Sequence, residues 1–134
     1  MMKVYVIDGL QFGTLEGFFE QISRILIPGA DWGRNLDAFN DILRGGFGTP
    51  DDGFEIHWAH SETSRARLGF AETARQLELR LQRCHPSNRP NVSQQLVDAQ
   101  NGIGSTVFDW LVEIIEVHGD GGEEAEDNVR LSLM

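Results

Sequence analysis

The sequence predicts an α/β domain: a small, mainly parallel three-stranded sheet packed by helices, plus an extra helical insertion. Three observations lead there. Two short β-type runs, at residues 3–8 and 54–58, are separated by amphipathic helical patterns, and an alternating run (Val129, Leu131, Leu133) lies at the C-terminus. Strands joined through helices pair in parallel, because only a crossover connection is long enough to return the chain to the same edge. A length of 134 residues with 40% hydrophobic content fits a single domain, 1–134, with one ordinary core.

The elements follow in order. The run VYVID is β-branched and aromatic and ends in the turn Asp8-Gly9. Thr14 is placed to cap a helix whose Leu15, Phe18, Phe19, Ile22, Ile25 and Leu26 follow the 3.6-residue period, and Pro28-Gly29 stops it. Asn35 is the expected N-cap of a second helix, with Leu36, Phe39, Ile42 and Leu43 on its apolar face and Gly45-Gly46 at its end. GGFGTPDDG is loop, and FEIHW is the second strand. Residues 65–84 read as one amphipathic helix with Phe70, Ala74, Leu77, Leu81 and Cys84 along one side. HPSNRPN breaks it, and residues 92–99 read as a further short helix. Residues 106–118 are apolar nearly all round, except for a stripe of Asp109, Glu113 and Glu116. Such a helix is buried and turns only a thin acidic line to water. The acid-rich GDGGEEAEDN reads as a solvated connection to the last strand.

Net charge is −10, which argues against nucleic-acid or anionic-membrane binding, since both need a basic footprint. The charge is unevenly spread. Residues 31–62 hold seven acids against Arg34 and Arg44, and residues 91–128 hold nine acids with no Lys or Arg. Residues 65–89 reverse this, with six arginines against Glu72 and Glu78. Such charge serves solubility in any acidic protein, or, as the sharper expectation, meets a partner with a positive surface. No apolar run approaches a membrane span, and no signal-like N-terminus is present. The single cysteine, Cys84, forms no internal disulfide and reads as a core residue. The expected location is the cytoplasm.

Nothing in the sequence assembles an enzyme. No phosphate-binding glycine loop or nucleophile elbow is present, and His57 and His60 beside Trp58 have no third ligand placed near them. No metal or cofactor is expected. The informative stretch is DWGRNLDAFNDIL. On its helix Asp37, Asn40, Asp41 and Arg44 fall at offsets 0, 3, 4 and 7, a polar face opposite the apolar one. Like charges at i,i+4 cost roughly 0.2–0.5 kcal/mol, so the aspartate pair needs a reason. Side by side on an exposed helix nothing would separate their pKa values for acid/base work. Taken alone the stretch reads as a plain solvated helix face, and recognition is the sharper alternative. Two carboxylates one turn apart engage several Arg or Lys groups through charge-assisted hydrogen bonds, and in a nuclease's cationic centre they stand in for phosphate oxygens.

The order strand, helix, Pro-Gly stop, then Trp32-Gly33, Asn35-Leu36-Asp37-Ala38, Asp41 and Leu43, then a strand ending in Trp58, resembles the barstar family. These proteins are intracellular inhibitors of barnase-like ribonucleases. Ser64-Arg65, the helix at 106–119 and the last strand also match. The resemblance implies a barstar-like fold and a non-enzymatic ribonuclease inhibitor or immunity protein, a monomer in a 1:1 complex with a basic extracellular-type ribonuclease. It implies that Asp41 enters the phosphate-binding centre and that Asp37 bonds basic groups beside it. Trp32 would make an aromatic contact, and Gly33 and Asn35 would shape the loop; Arg44 is a candidate contact from its place on the helix's polar face, not from the resemblance. Glu113 would supply an acidic contact from the last helix, with Asp109 and Glu116 as alternatives. Two partner-facing positions depart from the family: Asp31 stands where it has Tyr, and Asn40 where it has Trp. The segment at about 66–104 exceeds the family core and reads as an insertion. Its Phe70/Leu77/Leu81 side is expected to pack on the domain, leaving its arginines to face the acidic helices or a second partner. An alternative keeps the fold but makes the chain an adaptor for a non-nuclease basic protein.

Overall fold

The computed structural model describes residues 2–134. Strands β1 (Lys3–Asp8), β2 (Phe54–Ala59) and β3 (Val129–Leu133) form one sheet in the order β1-β2-β3, with both pairs parallel. Helices α1 (Leu15–Ile25) and α2 (Leu36–Leu43) make the first crossover. The second is longer and holds α3 (Ser61–Arg67), α4 (Phe70–Arg83), α5 (Arg89–Gln100) and α6 (Val107–Val117). Among the described residues no helix is long and apolar enough to cross a membrane.

The strand register decides what the sheet buries. Tyr5 pairs with Ile56 and Ile7 with Trp58, on the face that holds the core. Val4, Val6, Arg130 and Ser132 point the other way and are exposed. Parallel sheets are ordinarily covered on both faces; this one is covered on one, so the structure has two layers. The core is aromatic. Phe18 stacks on Trp58 at 5.2 Å, and Phe108 meets Trp58 edge-on at 5.1 Å. Trp58 Nε1 donates to the buried Ser64 Oγ at 2.9 Å, which leaves the indole no unmet polar atom. That bond explains the serine after the second strand.

The caps of α1 and α2 are those the sequence places. Thr14 Oγ1 accepts from Gly17 N, and Asn35 Oδ1 accepts from Ala38 N at 2.8 Å. Thr106 and Asp109 form a reciprocal capping box. Arg44 caps α2, and Gly45 follows at φ +104°, a conformation that ends a helix at little cost only for glycine.

Two expectations fail. Residues 65–84 are not one helix: α3 begins at Ser61 and stops at Arg67, and α4 restarts at Phe70. Leu68 is drawn wholly into the core, and its carbonyl accepts the Phe108 N–H at 3.1 Å, which no continuous helix permits. The Phe70/Leu77/Leu81 side also finds most of its partners outside the body. It closes against α5 around Leu77, Val92 and Ala99, and Trp110 of α6 is where this small cluster meets the body. Helices α4 and α5 are thus a hairpin with a core of its own. It is held to α1 by polar contacts: Glu72, 6% exposed, accepts from Leu15 N at 2.9 Å, and Arg75 bonds both Glu72 and Glu16.

Candidate functional site

Helix α2 is fixed by Phe39, Ile42 and Leu43, each 1% exposed or less, so its opposite face must look outward. Asp37 and Asp41 both lie on that face and are exposed. Asp37 sits in the first turn, where the helix dipole favours a carboxylate. The approach loop is tight. A Cβ on Gly33 would stand 3.0 Å from Asn35 Nδ2 and 3.2 Å from Ala38 Cβ, so glycine lets the loop fold over the helix start. Arg34 holds a left-handed φ of +50° and pairs with Glu20 at 2.9 Å. Asp31 is exposed at the start of the loop.

The expected contact residues Trp32 and Asn40 turn inward instead. Trp32 is 7% exposed; its Nε1 donates to Ser23 Oγ at 2.7 Å and its ring meets Phe19 edge-on at 5.5 Å. It anchors the loop to α1 and has little ring area left for a partner. Asn40 Oδ1 lies 2.6 Å from Nε2 of the fully buried His118, whose Nδ1 lies 2.7 Å from Asp127 Oδ2. These bonds join the last turn of α2 to the end of α6 and to the acidic loop behind it.

Arg44 completes that junction. Its Nε and Nη2 donate to the two oxygens of Glu124 at 2.7 and 3.1 Å, and its Nη1 donates to Asp41 Oδ1 at 2.6 Å. The Glu124 hydrogen bond raises the Arg44 pKa, and the guanidinium in turn holds the Glu124 carboxyl below the usual carboxylate range. Asp41 is therefore exposed but not unpartnered: one of its oxygens rests on the chain's own arginine. His118, Glu124 and Asp127 also place three ligand atoms within 4.8 Å of one another. Arg44 already supplies Glu124 with two donors, and His118 Nδ1 bonds Asp127, so the group is satisfied without an ion. His57 and His60 do not converge; each bonds its own acid, Glu55 at 3.0 Å and Asp8 at 2.9 Å.

The remaining expected residues separate. Asp37 and Asn35 line a cleft of about 760 Å³ between α1, the start of α2 and α4, with Arg34, Arg80 and Arg83. Glu113 and Glu116 line a different cleft beside β3 and Arg130. Asp109 is engaged in the cap of α6, which leaves Glu113 and Glu116 as the exposed carboxylates of that helix.

Sequence reasoning missed His118, Glu124 and Asp127. The signal available was the lack of any Lys or Arg from 91 to 128: a cation serving that acidic loop has to come from elsewhere in the chain, and Arg44 is one.

A family model described as Barstar (barnase inhibitor) matches residues 2–97. The match spans the first two strands and the first four helices and ends within α5. No curated protein matches the chain.

Proposed function

The chain belongs to the barstar family, a family of inhibitors rather than enzymes, and from that premise we propose that it blocks the active site of a basic, barnase-like ribonuclease by 1:1 non-covalent binding. The observation that carries the reading is the outward face of α2, with Asp37 and Asp41 one turn apart and exposed on a molecule of net charge −10. In the complex Asp41 takes the place of a substrate phosphate and Asp37 meets cations beside it. Gly33 and Asn35 set the entry to the helix, and Trp32 and Asn40 hold it in place from behind. Glu113 is an outer acidic contact from α6. Arg44 keeps Glu124 when Asp41 passes to the partner. A negatively charged inhibitor nearing a cationic cleft gains association rate, and salt removes that gain. Such an inhibitor would work as a cytoplasmic immunity protein against a secreted nuclease. The α4–α5 hairpin is then an insertion, at about 66–104, into a single domain.

The test is inhibition of barnase by wild type and Asp41→Ala, with thermal melting as a control. The variant is expected to lose about 30-fold or more in inhibition, the scale of an interface hot spot, with little change in melting. Equal inhibition by both would remove Asp41 from this role.

A further inference from the structure

The cleft beside α2 has a lining that phosphate mimicry alone does not use. Phe19, Leu36 and Leu79 line it with apolar surface, Asp37 stands on the α2 side, and Arg80 and Arg83 stand on the α4 side. At about 760 Å³ it is large enough for one or two side chains of a partner. The hairpin arginines differ in what they already do. Arg75 is held by Glu16 and Glu72, and the Arg80 guanidinium lies 5.4 Å from the Trp110 ring centre. Arg83 is exposed and makes no ion pair among the described residues. Asp37 and Arg83 share the cleft without pairing, so neither is neutralised by the other.

We propose that this cleft receives a surface loop of the nuclease in which an apolar residue lies next to an acidic one: the apolar side chain packs on Leu36 and Leu79, and the acid bonds Arg83. This rests on reading the chain as a ribonuclease inhibitor, and it deepens that reading by making the binding surface two-signed. The electrostatics favour it. An unpaired arginine on the edge of a surface meant for a basic protein repels that protein unless an acid faces it. A cation placed there therefore selects among basic partners, admitting those with a matching carboxylate and opposing those without. The hairpin becomes the specificity element, held in position against α1 by Glu72 and Arg75.

The test titrates barnase with wild type, Arg83→Glu and Arg89→Glu. Arg89 opens α5, is exposed and does not line the cleft, so it carries the same charge change to another place. Arg83→Glu is expected to weaken inhibition about tenfold more than Arg89→Glu does, with melting unchanged. Arg83→Gln gives a smaller loss of the same sign if the reversal lowers the folded fraction. Equal effects of the two reversals would overturn the cleft proposal and leave the inhibitor reading standing. A wild type that does not bind barnase even at micromolar concentration would overturn both.

Discussion

Glu72→Gln tests how the hairpin is fastened to the body. The Glu72 carboxylate is 6% exposed and accepts four hydrogen bonds: from Arg75 Nε at 2.6 Å, Arg75 Nη2 at 2.8 Å, Leu15 N at 2.9 Å and Gln76 Nε2 at 3.0 Å. Burial raises its pKa, but the bonds from Arg75, Leu15 and Gln76 outweigh burial and leave it below the ordinary value of 4.5. Glutamine keeps the shape, loses the charge, and turns an N–H group toward donors. A hydrogen bond to a charged group contributes about 1.5–3 kcal/mol, and breaking a fully buried ion pair costs about 3–5. The Arg75 side chain is 42% exposed and rehydrates when released, so the lower range applies, about 2 kcal/mol. For a chain of this size that lowers Tm by about 8 °C. Because folding depresses this pKa, the stabilisation is complete above 4.5 and vanishes as pH falls through the folded-state value. Urea titrations of both proteins from neutral to acid pH should show a gap that closes on acidification. A gap that is absent at neutral pH, or that persists after wild-type Glu72 is protonated, would refute the assignment.

Three further outcomes can be checked. Trp32→Phe removes the bond to Ser23 while keeping most of the ring packing; it should cost about 1 kcal/mol of stability and little inhibition, measured by urea unfolding and barnase titration. A large loss of inhibition with no loss of stability would restore the indole to the contact surface. His118→Ala opens a cavity and strips partners from Asn40 and Asp127, so about 2–4 kcal/mol should be lost, with faster amide exchange at the end of α2. Asn35→Ala removes the cap of α2 and should cost about 1 kcal/mol, read by the same unfolding assay.

What the sequence made legible was local. Thr14 and Asn35 announced their helices because a cap acts within three residues. The exposure of Asp37 and Asp41 followed from their offset to Phe39 and Ile42, since a helix cannot bury both faces. What stayed hidden depends on partners far along the chain. The break at Leu68 comes from a core position and a bond to Phe108, and a single glycine inside a helical pattern costs too little to announce it. Trp32 turns inward because Ser23 of α1 offers it an acceptor. Asn40 is claimed by His118, 78 residues on. The acidic loop is solvated at Asp120, Glu123 and Glu126, as read, but nothing local revealed that Glu124 pairs with Arg44, 80 residues earlier.

The Asp41–Arg44 pair bears directly on phosphate mimicry, because a carboxylate held by its own chain has less to offer a partner. Side-chain exposures of 61% and 44% place the pair in water, where such contacts are screened and contribute little. The geometry lowers the cost of exchange further. Arg44 presents its Nε and Nη2 edge to Glu124 and only Nη1 to Asp41, so it stays neutralised when Asp41 leaves. In the free protein the same contact relieves the repulsion between Asp37 and Asp41 and narrows the rotamers open to Asp41 before any partner arrives. The arginine is thus a removable counter-ion. On the proposed reading it orders the carboxylate in the free protein and lets it pass to a partner's cation that water screens less well.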